Sequence, residues 1–137
     1  LSTLAEYHDI GKLNISDQIL MKPGPLTTEE KAIVKMHCET GQRIALAVPE
    51  LAPVADLILK HHEAWDGSGY PLGLKGLEIP VECRILAIAD AYEAMTGERP
   101  YRDPVSKIEA LVELKKKAGT QFDPVLVEKM ILAFANN

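Results

Sequence analysis

Val81-Glu82-Cys83-Arg84-Ile85-Leu86-Ala87-Ile88-Ala89-Asp90-Ala91-Tyr92-Glu93-Ala94-Met95 is the stretch on which the fold turns. It holds no proline or glycine, and the helix it predicts is apolar nearly all round. Such a helix belongs at the centre of a bundle. Almost every other segment also reads as helix. Thr27-Thr28-Glu29-Glu30 is a capping box, with Thr27 as N-cap and Glu30 three residues on. The helix it opens carries Ile33, Met36, His37, Ile44 and Ala45 on one face at helical spacing. Another helix is predicted from Pro53 through Val54, Leu57, Ile58 and His61. Asp103-Pro104 and Asp123-Pro124 each set an N-cap acid before a proline at the first helical position. The helices they predict bear Ile108, Leu111 and Leu114 in one case, and Val127, Met130, Ile131 and Phe134 in the other. The fold class is therefore all-α, a bundle of about five to seven helices.

Two stretches interrupt the helical pattern. Residues 10–26 contain Gly11, Pro23, Gly24 and Pro25 around one short helical turn near Asp17 to Leu20. Residues 64–80 contain Gly67, Gly69, Pro71, Gly73, Gly76 and Pro80, too many breakers for a helix. A loop that long in a compact domain is usually functional or disordered. The 137 residues suit one domain, 47% apolar and 26% charged, with no stretch long enough to span a membrane. A net charge of -5 argues against a nucleic-acid polymer as partner, so any phosphate must be met by a few placed cations. Cys38 and Cys83 lack a CxxC spacing and read as buried reduced thiols of a cytoplasmic protein, in preference to a disulfide or metal role. The chain opens on Leu1 rather than Met, which suggests a piece of a longer polypeptide.

The residues that carry chemistry are the four histidines and two aspartates. His8-Asp9 stands at a predicted helix end, with Gly11 positioned to stop that helix. His37 lies on the apolar stripe of its helix, and His61-His62 end another. Asp90 is expected to be buried, with no Lys or Arg one turn before or after it. A buried carboxylate costs several kcal/mol unless a cation compensates it; a metal ion would. Singly, each of these residues has a structural explanation, as a core histidine, a helix-end charge pair or a cap. Together, on faces that should converge, they read as a metal site. Imidazole plus carboxylate with no obvious thiolate favours iron, manganese or zinc. Adjacent helical residues diverge by about 100°, so His61 and His62 can serve one metal only near a helix end. Lys12, Arg99 and Arg102 are cations able to neutralise a phosphodiester.

In this order the motifs resemble the HD-GYP family of bacterial cyclic di-GMP phosphodiesterases. They are His8-Asp9-Ile10-Gly11-Lys12, Lys22-Pro23-Gly24, His37 and His61-His62-Glu63-Ala64-Trp65-Asp66-Gly67-Ser68-Gly69-Tyr70-Pro71. They continue through Arg84-Ile85, Ala89-Asp90, Thr96, Arg99-Pro100-Tyr101-Arg102 and Gly119-Thr120-Gln121-Phe122-Asp123-Pro124. The HHExxDGxGYP element is the specific part; a bare His-Asp pair is weak.

The resemblance implies an HD-like helical bundle over residues 1–137 with a long GYP loop. It implies that Asp9 bridges two metals, with His8 and Asp90 on one and His37, His61 and His62 on the other. Iron is the expected metal and manganese the alternative, with a third ion where family members add a glutamate. Asp9 and Lys12 would be catalytic; Lys12, Tyr70, Arg99 and Arg102 would contact substrate. The reaction implied is attack of metal-activated water on cyclic di-GMP, giving linear pGpG and/or GMP. One departure stands out. The family carries a further histidine ligand on a helix before the His-Asp motif, and nothing before Leu4 supplies it. That helix and any regulatory input domain are expected upstream of Leu1. Competing readings are hydrolysis of another cyclic dinucleotide such as cyclic GMP-AMP, or a non-catalytic sensor or interaction module that docks a protein partner at the GYP loop. An HD-type mononucleotidase is disfavoured by the full GYP element.

Overall fold

The computed structural model describes residues 1–136 other than Tyr101, and the side chain of Asn14 is also outside the described residues. Tyr101 of the Arg99–Arg102 segment is therefore not discussed further. The described residues are helical with no strand; their only β-type pairings are two isolated bridges. The all-α expectation is met. The chain divides into two units, one of residues 1–62 with 70–72, the other of residues 63–69 with 73–137.

In the first unit, α1 (Ser2–Tyr7) leads into a 3₁₀ turn (Ile10–Asn14), then α2 (Asp17–Leu20), α3 (Thr28–Lys35) and α4 (His37–Ala47). A second 3₁₀ turn (Ala52–Val54) leads into α5 (Ala55–Lys60). The capping box at the start of α3 is formed: Thr27 Oγ1 accepts from the Glu30 amide at 3.1 Å and Glu30 Oε1 from the Thr27 amide at 2.9 Å. The single helix expected through Ala45 is instead two, broken at Met36. A continuous helix would give the Val34 carbonyl to the Cys38 amide; here that carbonyl is shared between a backbone N–H at the end of α3 and the His37 ring, Nδ1 to oxygen 2.6 Å. With the stripe interrupted, Ile33 and Met36 are exposed while His37 and Ala45 stay buried.

Gly11 does not stop a helix as expected. α1 already ends at Tyr7, and Gly11 sits inside the 3₁₀ turn, buried against α4. A Cβ there would lie 1.9 Å from the His37 carbonyl oxygen and 2.6 Å from the Gly41 nitrogen. Glycine is needed because two backbones meet. Leu4, Cys38, Ala45, Ala55 and Ile58 form the buried interior of this unit.

In the second unit a 3₁₀ turn (Gly76–Glu78) precedes α6 (Val81–Thr96), α7 (Lys107–Lys116) and α8 (Pro124–Ala135). Its core is Ile88, Leu114, Phe122 and Val127, with Ala87, Ala91, Tyr92 and Met95 of α6 packed against it. That face settles Asp90. The carboxylate lies about 130° round the helix from the core-facing arc and is exposed, not buried as expected. Burial therefore gives Asp90 no need of a cation.

Asp123 caps α8 as expected, accepting from the Val125 amide at 2.9 Å and the Leu126 amide at 3.3 Å. Its second oxygen takes Arg84 Nη1 at 2.8 Å. Asp103 does not cap α7. That helix begins at Lys107 with Ser106 as N-cap, accepting from the Glu109 amide at 3.1 Å. Ser106 and Glu109 have the spacing of a capping box, and this pair prevails over Asp103-Pro104. Ile108 consequently faces solvent while Leu114 is fully buried.

The long breaker-rich loop is tied at several points. Buried Glu63 accepts the Leu74 amide at 2.8 Å, and Asp66 accepts the Ser68 amide at 3.0 Å. The Trp65 and Asp66 amides donate to the carbonyls of Gln121 and Thr120. Glu63 and Asp66 thus hold loop shape, a role the sequence reading did not give them. No helix among the described residues is long and apolar enough to cross a membrane.

Candidate metal centre

Three of the four histidines are held in the same way. His8 and His61 are the C-caps of α1 and α5, and His37 follows the end of α3. The last carbonyls of a helix have no intrahelical partner, and each ring supplies one. His8 Nδ1 meets the Ala5 carbonyl at 2.9 Å, His37 Nδ1 that of Val34 at 2.6 Å, and His61 Nδ1 that of Ile58 at 2.6 Å. A carbonyl only accepts, so each Nδ1 carries the hydrogen. In the neutral ring that leaves Nε2 with its lone pair. Fixing the tautomer through the second ring nitrogen is how proteins orient metal-ligating histidines.

The three Nε2 atoms converge on Asp9. Its Oδ1 is 3.4 Å from His37 Nε2 and 3.5 Å from His61 Nε2, while Oδ2 is 3.2 Å from His8 Nε2. His37 Nε2 and His61 Nε2 face each other at 3.2 Å, and both residues are buried. Lone pairs and a carboxylate pointed at one another repel unless positive charge lies among them. Protons supply it in acid; a divalent ion supplies it with several donors at once. The two carboxylate oxygens serve different histidines, an arrangement suited to a bridging ligand. By donor chemistry and placement, these residues fit a metal.

The electrostatics show the same need for positive charge. Burial alone would raise the Asp9 carboxyl, but Nε2–H groups of His37, His61 and His8, donating to it when those rings carry a second proton, and the charge of Lys12 outweigh burial and hold Asp9 well below the usual carboxylate range. His62 is pushed down to about 3, first by burial and then by the neighbouring His61 and His37. Its ring is neutral at ordinary pH, as a ligand must be. The His61 and His62 ring centroids are 4.2 Å apart, possible because His61 stands just past the end of α5, as the helical divergence of adjacent residues required.

Lys12 Nζ lies 3.5 Å from Asp9 Oδ1. Tyr70 stacks on His62 with centroids 5.0 Å apart and planes at 18°, and Lys35 Nζ sits 5.2 Å over the same ring. Burial, then the charges of Cys38 and Asp9, pushes the Tyr70 hydroxyl up to about 12; it stays protonated and can donate. One further donor is a residue the sequence favoured as a plain buried thiol. Cys38 Sγ lies 3.8 Å from His37 Nε2, and the ligand atoms of His37, Cys38, His61 and His62 all lie within 4.8 Å of one another. Cys38 and Cys83 are buried and form no disulfide among the described residues.

The first unit therefore brings together His8, Asp9, Lys12, His37, His61, His62 and Tyr70. Asp90, Arg99 and Arg102 belong to the second unit. There Arg99 Nη2 pairs with Glu93 Oε2 at 2.6 Å, and the Arg102 guanidinium donates to the Ala94 carbonyl.

Known proteins resemble the chain over nearly its whole length. A cyclic di-GMP phosphodiesterase of Thermotoga maritima is 46% identical over 129 residues, which is 93% of this chain and 35% of that protein. A 3′3′-cGAMP-specific phosphodiesterase of Vibrio cholerae is 44% identical over 133 residues, 96% of this chain and 26% of that protein. A crystal structure of a cyclic GMP-AMP-specific phosphodiesterase from Vibrio cholerae superposes with a TM-score of 0.66 at 28% identity, covering 100% of this chain and 33% of that one. The chain spans about a quarter to a third of the length of the curated relatives it matches. The HD domain model matches residues 3–126, and by that match the chain belongs to the HD domain family.

Proposed function

We propose that this chain is the hydrolytic domain of a metal-dependent phosphodiesterase acting on cyclic di-GMP. An HD domain implies divalent metal binding, and one observation carries the reading: three histidines with Nδ1 committed to helix-end carbonyls turn Nε2 toward the two oxygens of Asp9. His37, His61 and His62 would hold one ion, His8 a second, and Asp9 both. Asp90, Arg99 and Arg102 join the proposal on the sequence pattern alone, as a ligand to the second ion and two phosphate contacts. Iron is the metal proposed, with manganese as its substitute. A divalent ion in such a site supplies Lewis acidity toward water and a phosphoryl oxygen.

The chain's own residues do the rest. Lys12, beside Asp9, sets a positive charge where a phosphodiester's non-bridging oxygens would need one. Tyr70, neutral and stacked on His62, offers a flat face and a hydroxyl donor to a base or phosphate. Relatives named for cyclic di-GMP and for cGAMP stand at similar identity, 46% and 44%, so both dinucleotides belong in the test. Anaerobically prepared protein loaded with iron or manganese should convert cyclic di-GMP to linear product, followed by chromatography, with cGAMP in parallel. Asp9→Ala should lose bound metal and turnover together. Bound metal without turnover of either dinucleotide would overturn the catalytic reading and leave a binding module.

A further inference from the structure

Cys38 follows His37 at the start of α4 and is fully buried. A buried cysteine is ordinarily a small hydrophobe, its position set by packing. This one has ligand spacing. Five donors on one ion, the three imidazoles, Asp9 and the thiolate, stand about 90–120° apart, which at about 2.0–2.1 Å for nitrogen and about 2.3 Å for sulfur sets neighbouring nitrogens about 2.9–3.6 Å apart and sulfur about 3.1–3.8 Å from nitrogen. The His37 and His61 Nε2 atoms are 3.2 Å apart, and Cys38 Sγ is 3.8 Å from His37 Nε2. Both separations match one shared ion. The inward-facing, buried ring nitrogens are a second observation pointing to a cation at the same place, independent of the cysteine.

We propose that Cys38 is a thiolate ligand to the ion held by His37, His61 and His62, making that half of the centre a nitrogen–sulfur site. This rests on the metal-centre reading above and refines it. On binding, the thiol proton leaves to solvent as the metal–sulfur bond forms, with no change of oxidation state. A thiolate donor biases the site toward softer ions, zinc, cobalt and ferrous iron, over manganese.

Cobalt(II) titration of the protein separates the two readings. Visible ligand-field bands report the metal bound; a near-ultraviolet sulfur-to-cobalt charge-transfer band reports the thiolate. Wild-type protein should show both. Cys38→Ser should lose the charge-transfer band and keep ligand-field bands of altered shape, whereas Cys83→Ser, changed at the other buried thiol, should keep both. Ligand-field bands without charge transfer in the wild type overturn the thiolate ligand and leave the imidazole–carboxylate site standing. Loss of the band in Cys83→Ser but not in Cys38→Ser also overturns it. Absence of any cobalt spectrum in the wild type overturns both readings.

Discussion

His62 is neutral in the fold for two reasons that both act on its charged form. Burial removes water from the imidazolium, and His61 and His37 crowd it with potential positive charge. The ring's folded pKa is depressed from 6.5 to about 3, so the unfolded chain binds the proton first as pH falls. Stability from this group is therefore complete above about pH 6.5 and is lost progressively as pH drops toward 3, with a slope of at most about 1.4 kcal/mol per pH unit. Denaturant melts of metal-stripped protein between pH 7 and pH 4 should show that loss, and His62→Gln should flatten it. An unchanged slope in the variant would assign the acid sensitivity to another group. The same depression keeps the ring's lone pair available to an ion in mild acid, where an ordinary histidine would surrender it to a proton.

At the scale of elements, the site depends on how closely the 3₁₀ turn approaches α4. Gly11 sets that distance, since any Cβ would run into the His37 carbonyl. Gly11→Ala must push the turn, and Asp9 with it, away from His37 and His61. The cost expected of such overpacking is about 1–3 kcal/mol, and metal affinity should fall with it. A thermal melt and a metal titration of the variant check both; wild-type values in each would mean that the backbone absorbs the methyl without moving Asp9. This contact also shows what a sequence can carry. The box at Thr27 and Glu30 and the cap at Asp123 were legible because donor and acceptor lie within three residues. The His and Asp set was legible as residue types in a motif. Gly11 misled because its neighbour is 26 residues away. The break at Met36 was hidden because a side chain, His37, shares the carbonyl that would have continued the helix. Cys38 read as an ordinary buried thiol because a thiol beside a histidine says nothing until the third and fourth donors arrive. Asp90 looked buried because apolar neighbours in sequence were read as neighbours in space, whereas α6 turns another arc toward its core.

Across the whole molecule, the proposed metal centre would be a source of stability as well as of chemistry. Buried imidazoles and a carboxylate aimed at one another are unfavourable company without positive charge, so an ion that binds the folded chain and not the unfolded one shifts the equilibrium by mass action. The gain is about 2.7 kcal/mol at a free ion concentration 100 times its dissociation constant. Melting temperature should therefore rise with added manganese, zinc or iron and fall back with chelator. Amide hydrogen exchange locates the gain: α4 and α5, which carry or lead into His37, Cys38, His61 and His62, should become more protected on ion binding. Added protection in α6 as well would support Asp90 as a ligand, and its absence there would remove Asp90 from the shell while leaving the others. A melting temperature indifferent to metal would overturn the premise that these donors bind an ion in the folded state. The Asp123–Arg84 pair offers an internal reference, because it caps α8 through contacts of its own; protection of α8 should not depend on which ion is added.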